Sequence, residues 1–297
     1  LSCFLFEAWR LRFIPLFTVN TPHAYSYFHV SGLHYLTVSC VLVPSLALIY
    51  RTAVRHRGRA ETVAVAGAVV LSLFIPVLCV SRFQLLLAVL MAAFTWLTLR
   101  REPIPGPLAV LGFVLLLAAY GILSMARGHS VSYLNGIFEM KRHFPIFVSQ
   151  PYIYIANNYD NVNCLIRELP QHSFGLKMLF PLIALSGLKF LRPELTAFPL
   201  YVTKTELTTV TLIYDAWYDF GILGVVAFCA LLGFVAARLE KKLREQHSPV
   251  FCMFYAQFSI YIMLSFFTTW FSNPATWVYF LETGLIAWFI GGRRQWG

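Results

Sequence analysis

The chain has 297 residues, of which 59% are hydrophobic and only 12% charged, with a formal net charge of +10. Soluble domains carry roughly 25% charged residues, so half that share, with a mean hydropathy of +0.68, excludes an ordinary soluble domain. The positive charge does not indicate nucleic acid either: the 23 Lys and Arg fall mostly in short segments beside apolar runs, where they read as membrane topology, and no RNP-like or helix-turn-helix pattern interrupts those runs.

Residues 1–32 read as an external or interfacial segment. Glu7, Arg10 and Arg12 interrupt the first apolar stretch, so it is not a signal peptide. The chain starts at Leu1 rather than Met, and the expectation is that earlier spans precede it. A membrane-crossing helix needs about 20 apolar residues, because it rises ~1.5 Å per residue across ~30 Å of hydrocarbon. Seven runs meet this need, at about 33–50, 62–81, 83–100, 105–125, 217–237, 250–271 and 275–291. The second and third meet at Ser81–Arg82. Residues 248–281 carry no charge, and Ser272-Asn273-Pro274 divides them into two helices.

Orientation follows from the short connections. Arg51, Arg55, Arg57 and Arg59 follow the first run, and Arg100 and Arg101 the third. Arg238, Lys241, Lys242 and Arg244 follow the fifth, and Arg293 and Arg294 the last. All lie on one side of an alternating path, which is therefore cytoplasmic. The domain reading is a four-span bundle over 33–125, a large extracytoplasmic loop over 126–216 and a three-span bundle over 217–297 with a cytoplasmic C-terminus. The fold class is all-α and polytopic.

The loop is too aromatic for a solvated chain: Tyr133, Phe138, Phe144, Phe147, Tyr152, Tyr154, Tyr159 and Phe174 all fall in it. Residues 178–191 are apolar but too short to span, which suits a re-entrant or interfacial helix. The polar run from Asn157 to Asn163 lacks the glycine and terminal Glu of a calcium loop and reads as a turn-rich connector.

Several polar residues could carry chemistry. Arg82, at the tip between two runs, is either an interfacial Arg that snorkels or an anion ligand whose planar fork suits phosphate oxygens. Arg127, Arg142 and Arg167 add cations in the loop beside aromatics, as an anionic head group would require. His172, in Gln171-His172-Ser173-Phe174-Gly175, is either a structural residue or a general base near neutral pH. Asp219, in Trp217-Tyr218-Asp219-Phe220-Gly221, could simply oppose a helix dipole. Asp215 stands one turn earlier, so both carboxylates face one way if the helix starts early. Glu206 sits in a Thr-rich stretch that could hydrogen-bond sugar hydroxyls. Glu282 lies inside the last run, where an ionisable group is a functional candidate. No histidines show HxxxH spacing and no CxxC pair occurs among the six cysteines, so neither a metal site nor a disulfide framework is expected. No GxxxxGK[ST] or GxSxG motif occurs.

The span layout, the Ser81-Arg82 tip, His172-Ser173-Phe174-Gly175 and Tyr218-Asp219-Phe220-Gly221-Ile222-Leu223-Gly224 together resemble the oligosaccharide repeat unit polymerases, the Wzy-type O-antigen and capsule polymerases. The resemblance covers most of the chain. Members usually have more spans, and the Asn-x-Tyr-Thr often found upstream is replaced by Thr208-Thr209-Val210-Thr211. The resemblance implies a plasma-membrane glycosyltransferase on the outer leaflet, with a polyprenyl-diphosphate-linked glycan as donor and a lipid-linked repeat unit as acceptor. It implies no cofactor, and a chain-length regulator and a flippase as partner proteins. His172 and then Asp219 become the candidate bases. Arg82, Arg127, Arg142 and Arg167 become candidates for the leaving diphosphate. Tyr159, Glu206, Asp215 and Tyr218 become candidate sugar contacts. Two readings compete: a lipid-linked oligosaccharide flippase, which would place charge at the bilayer midplane, and an O-antigen ligase, which shares the donor.

Overall fold

A computed structural model gives the fold. It describes residues 1–18, 24–54, 58–100, 102–126, 131–140, 144–245 and 248–293. Among the described residues the secondary structure is helical throughout, with no strand. Among the described residues four helices are long and apolar enough to cross a membrane: Leu33–Ala53, Arg59–Leu78, Arg82–Arg100 and Tyr214–Glu245. A helix satisfies its backbone groups internally, which is what hydrocarbon demands. Accordingly Val63, Val70, Leu71 and Phe74 of the second helix are exposed, a placement that water would penalise and lipid does not. The runs at 105–125 and 275–291 lie in the helices Gly106–Ala126 and Pro274–Arg293.

Contacts divide the chain into two compact units. The first comprises Leu1–Ser130, Glu245–Ile260 and Tyr279–Gly297. Its core includes Val41, Leu42, Leu87, Ala88 and Met91. Some polar side chains inside it are paired, which offsets the cost of burying them in a low-dielectric interior. Glu7 is fully buried and accepts from the Val30 N–H at 2.8 Å and from His34 Nδ1 at 3.2 Å. Ser39 Oγ donates to Glu282 at 2.8 Å, and Tyr279 Oη donates to the Val38 carbonyl at 3.3 Å.

The second unit comprises Val131–Arg244 and Tyr261–Val278. It differs from the sequence expectation in three places. The Asn-rich run is no connector; it lies inside a helix, Ile146–Glu168. Asparagine is a poor helix former because its amide competes with the backbone, but here tertiary partners occupy those amides. Asn157 and Asn161 donate to the Leu207 carbonyl at 3.2 and 2.8 Å, and Asn158 to the Phe266 carbonyl at 2.7 Å. Asn161 Oδ1 accepts from the Thr203 N–H at 2.9 Å, and Asn158 Oδ1 from Thr209 Oγ1 at 2.7 Å.

The run at 250–271 is not one continuous helix either. Its helix is Pro249–Met263, followed by turns and a 3-10 segment at Trp270–Ser272. The carbonyls beyond Met263 are taken from outside the helix. Trp270 Nε1 donates to Leu264 O at 3.0 Å, the Leu212 N–H to Ser265 O at 2.7 Å, and Asn158 to Phe266 O. Finally, the apolar stretch 178–191 forms two short helices, Phe180–Leu185 and Leu188–Leu191, divided at Gly187, whose φ is 78°.

The second unit's core joins Val162 and Leu165 to Val210, Tyr214 and Tyr218. Tyr214 is fully buried, and its hydroxyl both accepts from the Tyr201 N–H and donates to the Tyr201 carbonyl, each at 2.9 Å. Tyr214→Phe therefore leaves two main-chain groups unpaired. The expected loss is about 1–3 kcal/mol, read as a lower thermal unfolding midpoint in detergent. An unchanged midpoint would show that these groups find other partners.

Candidate functional site

The site is built on the helix Tyr214–Glu245, which is interrupted at Gly221 by φ 59° and ψ −144°. That backbone conformation is essentially restricted to glycine. It ends the first two turns and redirects the chain so sharply that a Cβ at Gly224 would lie 2.4 Å from the Ala216 carbonyl oxygen. Asp215 and Asp219 both fall on the short segment before the bend, one turn apart, and are 5% and 0% exposed.

Against this bend packs the segment His172–Gly175, 46 positions away in sequence. Two main-chain bonds hold it: the Ser173 N–H donates to Tyr218 O at 3.3 Å and the Phe174 N–H to Asp219 O at 3.2 Å. Phe174 has φ 51° and Gly175 φ 98°. A phenylalanine in the left-handed region is strained, and the bond to Asp219 helps hold it there. The reversal turns the following main chain back over the Asp219 carboxylate. Ser173 Oγ donates to Asp219 Oδ1, as does the Lys177 N–H at 3.1 Å, while the Met178 N–H donates to Oδ2 at 2.8 Å. The sequence reading offered Asp219 as the second candidate base, with its helix dipole as the alternative. In the structure its carboxylate anchors a turn from a distant segment.

His172 Nδ1 lies 3.2 Å from the Tyr218 carbonyl. A carbonyl can only accept, so Nδ1 carries the proton in the neutral ring and Nε2 is left with its lone pair. Nε2 lies 3.2 Å from where a Gly221 Cβ would be. The ring is exposed. Lys177 Nζ stands over the rings of Tyr218 and Phe198 at 5.1 and 5.4 Å, a cation–π arrangement. The Asp215 carboxylate has the hydroxyl side chains of Ser272 and Thr269 as polar neighbours.

The other sequence candidates are dispersed. Tyr159 is exposed on the Ile146–Glu168 helix, and Arg167 is exposed in its last turn, where a cation suits the helix dipole. Glu206 is exposed and accepts from Thr205 Oγ1 at 3.2 Å. Arg82 belongs to the first unit and is 8% exposed. Glu282 is also in the first unit. Arg127 and Arg142 lie outside the described residues. Among the described residues no group of three His, Cys, Asp or Glu side chains is arranged to hold a metal.

Sequence reasoning missed Ser173, the Lys177 and Met178 N–H donors and the bend at Gly221. Only the last has a sequence signal, a glycine directly after a buried acid and an aromatic. No protein-family model, curated protein or solved structure matches the chain.

Proposed function

We propose that the chain is a membrane glycosyltransferase. On this reading it joins polyprenyl-diphosphate-linked oligosaccharide repeat units into surface polysaccharide on the outer face of the membrane. Seven spans place residues 126–216 outside, with residues 178–191 at the interface. The observation that carries the reading is the union of the two motifs behind the family resemblance. His172–Gly175 and Tyr218–Gly224 are distant in sequence and lock together through four hydrogen bonds, at Tyr218 O, Asp219 O and Asp219 Oδ1.

In this mechanism Nε2 of His172 takes the proton of the acceptor hydroxyl as that oxygen attacks the anomeric carbon of the donor. The bond to the diphosphate breaks with its electron pair, and cations stabilise the charge on the leaving group. Arg82 and Arg167 are the described candidates for this role, and Arg127 and Arg142 are the others. Asp219 positions His172 through the shared turn. Tyr159, Tyr218, Glu206 and Asp215 are the candidate sugar contacts.

Purified protein given lipid-linked repeat units should form a ladder of longer glycans without ATP. Leaflet transfer with no ladder would make it a flippase, and transfer to a lipid acceptor without repeat addition would make it a ligase. His172→Ala and Arg82→Ala are each expected to abolish long-chain glycan while the protein stays in the membrane. Normal ladders from both variants would remove the site assignment.

A further inference from the structure

The two short helices that follow the His172 turn present an apolar face that the described residues of the second unit leave open. In Phe180–Leu185 the buried side is Pro181, Ile183 and Ala184. Leu179, Leu182 and Leu185, each three positions from the next, are exposed, Leu182 at 65%. Beyond Gly187 the pattern continues in Phe190 and Leu191, exposed at 67% and 79%. Contiguous apolar surface of this kind is uncommon on a monomer in water and marks a docking face.

Continuity and charge select what covers it. The face runs into the lipid-facing side of a spanning helix. A Cβ at Gly175 would touch Phe220 Cζ at 3.4 Å and Leu179 Cδ1 at 4.0 Å, so the Phe220 and Leu179 side chains adjoin there. Phe220 is exposed, and past the Gly221 bend so are Ile222, Leu223 and Val226 of Tyr214–Glu245. Charge supplies the second criterion. From Leu169 to Pro193 the chain carries three cations, Lys177, Lys189 and Arg192, and no acid. Lys189 Nζ lies 4.9 Å over the exposed Phe190 ring. Arg192 stands 3.8 Å from Glu194, and both are exposed, so that pair holds it only weakly. Apolar side chains with cations beside them are what an anionic lipid surface binds. A two-fold contact between copies would set the same cations against each other.

We infer that residues 174–192 form a platform that binds an anionic phospholipid surface, and that it holds the His172 turn at the lipid–water boundary. The site then receives a lipid-borne substrate sideways from the bilayer. The platform itself needs no glycan; only the direction of substrate entry rests on the glycosyltransferase reading.

The full chain with Leu182→p-benzoylphenylalanine would be irradiated in vesicles of equimolar phosphatidylcholine and phosphatidylglycerol, and its adducts weighed. The expected product is a phospholipid adduct with phosphatidylglycerol in excess. Lys189→Gln should lower that excess by about fivefold. The unsubstituted chain, extracted in mild detergent and weighed by native mass spectrometry, should likewise retain phosphatidylglycerol over phosphatidylcholine. That second measurement decides the matter if the Leu182 variant does not fold. Cross-linking to a second copy of the chain overturns the inference, as does the absence of any lipid adduct. Equal capture of the two lipids, unchanged by Lys189→Gln, overturns it too. Neither measurement involves a glycan, so a chain that enriches phosphatidylglycerol but forms no glycan ladder keeps the platform and loses the glycosyltransferase reading.

Discussion

Replacing Gly221 by alanine is expected to lower the thermal unfolding midpoint of the detergent-solubilised protein and to displace His172. Two costs add. The backbone at φ 59° and ψ −144° is a region that only glycine occupies without strain, worth about 1–3 kcal/mol for another residue. A Cβ would also stand 3.2 Å from His172 Nε2 and 3.3 Å from Cε1, so the ring must move. Gly224→Ala is expected to be worse, because its Cβ would meet the Ala216 carbonyl oxygen at 2.4 Å and Phe220 Cβ at 2.7 Å. Neither neighbour is the far end of a flexible side chain, so the bend itself would have to open. Gly284→Ala is the control: its Cβ meets nothing within 4 Å, and alanine favours a helix over glycine by up to ~1 kcal/mol. A scan of the three variants therefore separates the bend from the general effect of losing a glycine. If Gly221→Ala and Gly284→Ala melt together, the bend is not a constraint on the fold.

What the sequence reveals here depends on the range of the force involved. Hydrocarbon acts on every residue of a span, so the apolar runs at 62–81 and 83–100 correspond closely to the helices Arg59–Leu78 and Arg82–Arg100. The helix Ile146–Glu168 is obscured because its asparagines, read locally, favour turns. Their amides are occupied by carbonyls and a hydroxyl some 50 or 108 positions away, and nothing at Asn157 or Asn158 announces those partners. The same exchange hides the end of the helix Pro249–Met263. Its continuation is as apolar as the helix itself, and what stops it is a set of donors from Leu212, Asn158 and Trp270.

The candidate site shows a similar division. His172 and Asp219 are legible as titratable residues inside short distinctive segments. That Asp219 is held by the chain beyond His172 is not legible, because two of its three donors are main-chain N–H groups, which every residue but proline carries. The role assigned to Asp219 changes with that geometry. A carboxylate meant to take a proton needs access to substrate, whereas this one is fully buried and holds three donors.

Asp219→Asn distinguishes the two roles more sharply than alanine does. In the wild type Oδ1 accepts from Ser173 Oγ and the Lys177 N–H, and Oδ2 from the Met178 N–H. An asparagine keeps the shape but has one acceptor oxygen. With that oxygen toward Ser173 and Lys177, its NH2 faces the Met178 donor. Flipped, its NH2 faces the Lys177 donor, although the Ser173 hydroxyl can turn to accept. Either orientation opposes two donors and leaves one main-chain N–H unpaired, at about 1–3 kcal/mol. Asp219→Ala leaves all three donors without this partner and should cost more. Ser173→Ala removes one donor and leaves the carboxylate its other two, so its loss should be near ~1 kcal/mol. The expected order of unfolding midpoints is Ser173→Ala above Asp219→Asn above Asp219→Ala. Because the same turn carries His172, activity should fall in that order as well. A catalytic carboxylate would behave differently: Asp219→Asn would melt like the wild type and still form no glycan ladder, and that pair of results would return Asp219 from anchor to base.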